Sequence, residues 1–464
     1  MLTYSFADIG SESIYIYLYK CIKNDILSGV LRAGEKLPSK RSFAKNLGIS
    51  TITVENAYAQ LQAEGYIYSI AKKGFFVNDI SENQIISKHI GEITVPASTA
   101  SKSYIADFVS NRTSPENFPF SVWAGLMRKV ISEQSDELMT TSPGGGVYEL
   151  RKAICDHLFQ FRNMKVEPEQ IIIGAGTEYL YGLIIQLLGH GKTYAVENPG
   201  YKKISQIYES NNVRCVYASL DESGVSIDSL EKSGADIIHI SPAHHYPTGI
   251  VTPIGRRYEL LGWASKSDSR YIIEDDYDSE FRLNSKPVPM LQSIDVLEKV
   301  IYINTFSKSL SSTVRISYMV LPPHLLEQYR KKLGFYSCTV SNFEQYTLAR
   351  FISEGYFEKH INRMRTYYKN LRDELLVSLK GSTLSDRVQI TEENSGLHFL
   401  MHVDTELSDA EIVKSAERNG IRIKCLSQYY SESDSADRHI TVMNYSGLSA
   451  KDISGAVAAL EKSF

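Results

Sequence analysis

Five short apolar runs recur in the middle of the chain, and each ends abruptly in small or polar residues. The runs are 170–173, 193–196, 236–240, 271–273 and 300–303. Helical stretches separate them, which is typical of β-α-β units and a parallel sheet. Open sheets of this kind bind ligands at the carboxyl ends of their strands. The pattern therefore predicts an α/β domain with one ligand crevice at the five strand ends.

The loop after the first run favours a phosphate group as ligand. Residues 174–177 precede a predicted helix, so their backbone amides and the helix dipole would face an anion. Gly176 and Thr177 are the candidate contacts in this loop, and a plain tight turn is the alternative interpretation. Thr305 and Ser307, which follow the fifth run, would add hydroxyl groups to the same phosphate.

Three further side chains suggest what else the ligand carries. Lys308 would form a Schiff base with an aldehyde if desolvation lowers its pKa, although most lysines are solvent-exposed charges. Asp275 would pair with a protonated pyridine nitrogen, and Tyr277 would hydrogen-bond a phenolic ring oxygen. An acidic cluster could instead bind a metal, but we find no histidine or further carboxylate at ligand spacing. The set predicts a pyridoxal phosphate site and no metal.

Charge is concentrated ahead of this domain. Residues 20–73 contain nine Lys or Arg and four Asp or Glu, in a chain whose net charge is −4. A basic module on an acidic remainder indicates a polyanionic partner for the front end, with a solvated charged face as the alternative. Residues 79–103 include five serines and no Phe, Tyr or Trp, so we interpret them as a flexible linker between domains at 1–78 and 104–464.

The front module has the pattern of a winged helix-turn-helix. Apolar spacing predicts a helix over 14–27, a short helix capped by Ser39, and a third helix capped by Ser50. A two-stranded hairpin with a basic tip follows at 66–77. The third helix is predicted to bury Ile52, Val54, Ala57, Tyr58 and Leu61.

In such modules the third helix lies in the major groove of DNA, and basic residues around it contact the phosphate backbone. For Arg41, an ordinary surface salt bridge is the alternative role. The predicted DNA contacts are Ser39, Lys40, Arg41, Ser50, Thr51, Thr53, Lys72 and Lys73.

The front sequence LPSKRSFAKNLGISTITVENAYAQLQAEG, followed by GFFV, closely resembles the GntR-type DNA-binding domain. The resemblance implies a double-stranded DNA operator as partner. One departure is Thr51, which stands where the family commonly has an arginine.

Residues 105–464 resemble the fold-type I, class I aminotransferases. Thr305-Phe306-Ser307-Lys308, with Arg315 seven residues further on, looks like their lysine signature. The resemblance implies pyridoxal phosphate bound to Lys308 as an internal aldimine, with Arg315 helping to hold the phosphate. It also implies a large domain with a mostly parallel sheet and a smaller C-terminal α+β subdomain.

The two parts in this order resemble the MocR/GabR regulators, in which an aminotransferase-like domain senses ligands and the head binds DNA. The resemblance implies that Tyr201 flanks the cofactor ring, that Lys203 binds an effector carboxylate, and that His244 or a water contacts the ring oxygen. Residues 441–445 lack the arginine with which aminotransferases hold the substrate carboxylate.

We therefore predict a homodimeric transcription regulator that senses an amino compound or pyridoxal phosphate, without enzymatic turnover beyond a residual half-transamination. A working aminotransferase with an accessory head, and a plain GntR repressor, are the alternatives. The five cysteines lack a CxxC motif, and no apolar stretch approaches the ~20 residues of a membrane span. These features, with no visible signal peptide, favour a soluble cytoplasmic protein.

Overall fold

The computed structural model describes residues 2–6, 12–80, 104–110, 113–281, 288–394, 396–431 and 436–464. The chain divides into two compact units, residues 1–101 and 102–464. Residues 81–103 of the predicted linker lie outside the described residues, so the linker and the exact domain bounds stay predictions.

The described part of the smaller unit has three helices and a hairpin, as predicted. Its elements are α1 (Ile14–Leu27), α2 (Lys40–Leu47), α3 (Thr51–Ala63), β1 (Ile67–Ile70) and β2 (Gly74–Val77). The side chain of Ser39 accepts a hydrogen bond from the Ser42 amide, and that of Ser50 accepts one from the Thr53 amide. These caps explain why α2 and α3 begin where they do. The hairpin pairs Ile67 with Val77 in antiparallel register.

The structure corrects one predicted core residue of α3. Val54, Ala57, Tyr58 and Leu61 are buried, as predicted, but Ile52 is 69% exposed. Because each helical residue advances by about 100°, Ile52 lies about 200° around the helix from Val54 and faces away from the core.

The larger unit alternates helices and strands. Its helices are α4 (Phe120–Glu133), α5 (Ser135–Leu138), α6 (Tyr148–Arg162), α7 (Thr177–Leu188), α8 (Lys202–Ser210), α9 (Ile227–Ser233), α10 (Ile254–Ser265), α11 (Leu291–Ile294), α12 (Phe306–Ser309), α13 (Pro323–Leu333), α14 (Asn342–Ser353), α15 (Tyr356–Lys380), α16 (Asp409–Arg418) and α17 (Ile453–Glu461). Its strands are β3 (Ala106–Asp107), β4 (Ile171–Gly174), β5 (Thr193–Asn198), β6 (Arg214–Asp221), β7 (Gly224–Val225), β8 (Ile237–Ile240), β9 (Tyr271–Asp276), β10 (Val300–Thr305), β11 (Ser317–Val320), β12 (Val388–Thr391), β13 (His398–Val403), β14 (Ile421–Arg422), β15 (Lys424–Cys425) and β16 (Ile440–Asn444).

The large sheet has eight strands in the order β4-β11-β10-β9-β8-β5-β6-β7. The pairs β10/β9, β9/β8, β8/β5 and β5/β6 are parallel. Strand β11 is antiparallel to both β10 and β4, so β4 runs in the same direction as β10. The five predicted runs are therefore all strands, and their carboxyl ends lie along one edge of the sheet.

Helices cover both faces of this sheet. Ile171 and Ile173 pack in a core with Leu150 of α6 and Phe351 of α14. Ile172, which points to the other face, packs with residues of α7 and α13. This alternation gives a three-layer α/β domain, as the continuous apolar runs predict.

A second, smaller sheet follows near the C-terminus. Its order is β12-β13-β16-β15, and every pair in it is antiparallel. With α15, α16 and α17 beside it in the sequence, it is the predicted α+β part. Within the described residues, no helix has both the length and the hydrophobicity needed to cross a bilayer.

Candidate functional site

A cavity of about 630 Å³ lies at the carboxyl edge of the large sheet. Eight of the ten residues predicted to contact the cofactor line it, together with Lys203. These eight are Thr177, Tyr201, Asp275, Tyr277, Thr305, Ser307, Lys308 and Arg315. The remaining two, Gly176 and His244, are not among the lining residues. One crevice thus collects side chains from the ends of separate strands.

Lys308 stands in the short helix α12, directly after β10. Its Nζ lies 5.9 Å from the centre of the Tyr277 ring. Burial lowers the pKa of Lys308 to about 8, although the nearby Asp278 carboxylate opposes this shift. Near neutral pH a larger fraction of its amine is therefore unprotonated than in a solvent-exposed lysine, which favours reaction with an aldehyde.

Asp275, at the end of β9, is held through one of its two carboxylate oxygens. The Tyr181 hydroxyl donates to Oδ2 at 2.5 Å, and Nε2 of His239 lies 3.4 Å from the same oxygen. The Tyr208 hydroxyl lies 2.7 Å from Nδ1 of His239. The other oxygen, Oδ1, is buried and has no hydrogen-bond partner among the described residues. This oxygen can therefore accept a hydrogen bond from a donor that a ligand brings into the cavity.

Gly176 and Arg315 approach each other closely at one end of the cavity. Gly176 precedes α7 with φ of 95°, and a Cβ there would lie 2.5 Å from Arg315 Nη2. No larger residue fits without displacing the guanidinium. Thr305 caps α12, because its Oγ1 accepts a hydrogen bond from the Ser307 amide at 3.1 Å. A cation, hydroxyl groups and a helix N-terminus thus converge in a cradle suited to a phosphate.

His244 is buried behind the cavity wall. Its Nδ1 lies 2.9 Å from Asp278 Oδ2 and 3.3 Å from the Tyr277 hydroxyl. Burial raises the pKa of Tyr277 well above its usual range, so this hydroxyl remains a donor. His244 therefore contacts the side chain that faces the cavity, and its own predicted contact with a ring oxygen stays a prediction.

Lys203, in the first turn of α8, is already ion-paired in the cavity. Its Nζ donates a hydrogen bond to Glu178, which lowers the pKa of that carboxyl. The same Glu178 has an oxygen 3.7 Å from Arg315 Nη2. Glu178 thus stands between the cation predicted for the phosphate and the cation predicted for an effector carboxylate.

Lys424 is a cation of the cavity wall that the sequence alone does not assign. It pairs in register with Val442 of β16, and its Nζ lies 5.7 Å from the centre of the Tyr429 ring. Within the described parts of the chain it forms no salt bridge. Arg422, the neighbouring cation, lies 3.2 Å from Asp107 and outside the cavity lining.

Sequence reasoning misses Tyr181, His239 and Glu178 as site residues, and it raises Lys424 only as one of three cations, with Arg422 and Arg438, that could replace the missing carboxylate-binding arginine. Tyr181 has a recognisable signal, because it follows Thr177 by four residues on one helix face. His239 lies inside an apolar run, where nothing local shows which neighbour it contacts.

The predicted DNA contacts lie around α2, α3 and the hairpin of the smaller unit. Arg41, Thr51, Lys72 and Lys73 are exposed. Lys40 is instead ion-paired with Glu55 at 2.7 Å. The remaining three are the serines that cap α2 and α3, and Thr53. Ser50 Oγ lies 2.8 Å from Thr53 Oγ1, so part of their hydrogen-bonding capacity serves the helix start.

The fold and the site together define a winged-helix DNA-binding protein with an aminotransferase-like ligand-binding domain. Residues 15–77 match the family model described as bacterial regulatory proteins of the gntR family. Residues 110–450 match the model of aminotransferase class I and II.

Similar full-length proteins include an uncharacterized HTH-type transcriptional regulator, YdeL, of Bacillus subtilis, 35% identical over 97% of this chain and 96% of that protein. The probable rhizopine catabolism regulatory protein MocR of Rhizobium meliloti is 29% identical over 96% of this chain and 93% of that one. A pyridoxine biosynthesis transcriptional regulator, PdxR, of Corynebacterium glutamicum is 29% identical over 90% of this chain and 89% of that one. The chain belongs to this family of HTH-type transcriptional regulators, which confirms the family resemblance read from the sequence.

Solved structures show the fold of the larger unit independently. Kynurenine aminotransferase of Pyrococcus horikoshii is similar with a TM-score of 0.68 and 23% identity, over 78% of this chain and 90% of that one. The predicted aminotransferase-like fold is thereby confirmed.

GntR-type regulators bind DNA, so DNA is the partner of the smaller unit.

Proposed function

We propose that this regulator binds pyridoxal phosphate at Lys308 and responds to an amino compound or to the cofactor itself. The observation that supports this best is the buried Oδ1 of Asp275, which lines the same cavity as Lys308 and has no partner in the described structure. A protonated pyridine nitrogen would satisfy that oxygen. When bound, the cofactor supplies an aldehyde carbon with which amines form a Schiff base.

The other residues of the cavity fit the remaining groups of this cofactor. Gly176, Thr177, Thr305, Ser307 and Arg315 form the cradle for its phosphate. The Tyr277 hydroxyl would donate to the ring oxygen, and Tyr201, at 51% exposure, would flank the ring. His239 and Tyr181 also line the cavity, and their contacts with Oδ2 fix the orientation of the Asp275 carboxylate.

The effector we propose is an amine that also carries a carboxylate. Lys203 would bind the carboxylate, which requires the effector to displace or share Glu178. An ammonium ion has no bidentate fork, so this contact is less directional than one from arginine.

We further propose that the protein acts as a homodimer on a double-stranded operator. Two-fold symmetry is the commonest arrangement of soluble oligomers, and it would present paired heads to paired or repeated half-sites. Effector binding would alter DNA binding only if the effector binds the two states of the dimer with different affinity.

The first experiment is visible absorbance of the purified protein with pyridoxal phosphate, before and after borohydride. We expect a reducible Schiff-base band that Lys308→Ala abolishes. Lys299→Ala is the matched control, because Lys299 precedes β10 and donates to the Ser267 carbonyl away from the cavity. No band in the unmodified protein, or a band retained by Lys308→Ala, would contradict the proposal.

A panel of amino compounds then separates a sensor from an enzyme. A band that shifts with one amine and persists supports the sensor. The intact set of Lys308, Asp275 and Tyr277 is the observation that favours residual transamination as a second candidate. In that case the band decays to the pyridoxamine form and recovers when a keto acid is added.

A further inference from the structure

Helix α3 carries an uncharged stripe on the face opposite its buried side. Val54, Ala57, Tyr58 and Leu61 define the buried side. At about 100° per residue, Ile52, Asn56 and Ala59 lie on the opposite side, one turn after another. All three are exposed, and Ile52 is exposed to 69%.

Ile52 stands where a helix of this kind meets the edges of base pairs. In helix-turn-helix modules, residues in the N-terminal part of the second helix of the motif contact the bases. Ser50 and Thr53 in this part are engaged in the helix cap and with each other, at 3.1 and 2.8 Å. Thr51 and Ile52 are therefore the residues of the first turn whose side chains remain available for bases.

The charges beside the stripe are arranged so that DNA can approach it. Glu55, on the flank of the stripe, is neutralised by Lys40 at 2.7 Å. Lys40 is in turn held 5.3 Å from the centre of the Phe75 ring in the hairpin. The exposed Arg41, Lys72 and Lys73 provide positive charge for the phosphates. An exposed, large apolar side chain on a module that also exposes these cations calls for an apolar group on the DNA.

We propose that Ile52 packs on the 5-methyl group of a thymine in the major groove. Thymine is the only standard base that presents a methyl group there. Asn56, one turn further along the same stripe, would read an adenine through N6 and N7, the pairing that an asparagine side chain makes best. Each operator half-site then contains A·T pairs at both positions. This inference rests on the DNA-binding function and is independent of pyridoxal phosphate.

The test begins with an operator duplex selected from random sequences by the full-length protein. Each thymine is then replaced in turn by deoxyuridine, which removes only the methyl group. We expect one thymine per half-site at which the unmodified protein loses about fourfold in affinity, the factor for burying one methyl group. Ile52→Ala should lose affinity for the thymine duplex and show no further loss with deoxyuridine, because the two changes remove the same contact.

Two controls make the result specific to this side chain. Ile52→Ala should fold normally, because Ile52 is exposed and alanine favours helix, and the melting curve verifies this. Val30→Ala removes an apolar side chain of the same module, 67% exposed but outside α3, and should retain the full response to deoxyuridine. The Asn56 contact is examined in parallel with 7-deazaadenine, which lacks the N7 acceptor. The DNA affinity of Asn56→Ala should not change when 7-deazaadenine replaces the adenine.

Three results would overturn the thymine contact. One is that no deoxyuridine substitution affects the unmodified protein. Another is that Ile52→Ala remains as sensitive as the unmodified protein at every thymine. The third is that Ile52→Ala changes the oligomeric state while its DNA affinity is unaffected, which would assign Ile52 to a protein contact. If the protein binds DNA in this way but forms no Schiff base, the proposed binding of pyridoxal phosphate is contradicted and the thymine contact stands.

Discussion

At the scale of single residues, the burial of Lys308 links its position to its reactivity. Its pKa is lowered to about 8, so the amine becomes unprotonated, and hence nucleophilic, as the pH rises through this value. We predict that the initial rate of Schiff-base formation, followed by visible absorbance in the apoprotein, rises with a midpoint near pH 8. A free lysine side chain, with a pKa of about 10.4, serves as the reference. A midpoint near that of the reference would show that Lys308 is solvated in the reactive state.

Lys203 and Lys424 offer two cations for an effector carboxylate, and a pair of variants separates them. We predict that Lys203→Met weakens binding of an amino acid about tenfold, the scale of a lost hydrogen bond to a charged group. It should leave unchanged the affinity for the corresponding amine that lacks the carboxylate. Spectral titration of the cofactor-loaded protein measures both affinities. Lys424→Met is the control, and a carboxylate-dependent loss in that variant alone would move the contact to Lys424.

The sequence predicts the residues of the site better than it predicts their surroundings. Asp275 and Lys308 could be predicted because they follow apolar runs whose strand ends must meet. Tyr181 and His239, which hold Asp275, could not, because their contacts depend on which strands become neighbours. Ile52 was predicted wrongly because an apolar residue in a helix need not face the core.

At the scale of elements, the five runs became five strands because each is apolar on both sides and is covered by helices on both faces. Strand β11 is harder to predict, because it lies antiparallel between β4 and β10 and its partner Ile171–Gly174 is far away in the sequence. Strand order is a non-local property. The caps at Ser39 and Ser50 are local, and so the starts of α2 and α3 could be predicted to the residue.

Helix α2 allows a test of how the module contacts phosphates. Arg41 is exposed in its first turn, two residues after the capping serine. We predict that Arg41→Ala weakens binding to all DNA sequences and reduces the slope of log affinity against log salt by about one, because one phosphate contact is lost. Titration at several salt concentrations measures the slope.

Lys20 provides the matched control for this experiment. It is a half-exposed basic residue of α1 that is ion-paired with Glu12. Lys20→Ala should leave the slope unchanged. Equal slopes for Arg41→Ala and the unmodified protein would remove Arg41 from the interface.

At the scale of the whole molecule, each unit buries its own core. Leu18, Ile22 and Leu61 belong to the core of the smaller unit, and separate clusters build the larger one. A ligand that binds only the folded larger unit stabilises that unit by mass action, by about 2.7 kcal/mol at a hundredfold excess over its Kd. We therefore predict that pyridoxal phosphate raises the Tm of one calorimetric transition of the full chain and leaves the other unchanged.

Operator DNA should have the converse effect and raise the Tm of the transition that the cofactor leaves unchanged. Lys308→Ala should reduce the shift caused by the cofactor without altering the shift caused by DNA. If the full chain instead unfolded in a single transition whose Tm rises with pyridoxal phosphate, the two units would unfold as one cooperative body. The same result would mean that cofactor binding alone, without an effector, already changes the stability of the smaller, DNA-binding unit. Separate shifts would mean that the cofactor alone does not affect the DNA-binding unit. The effector must then change DNA binding, through its different affinity for two states of the protein.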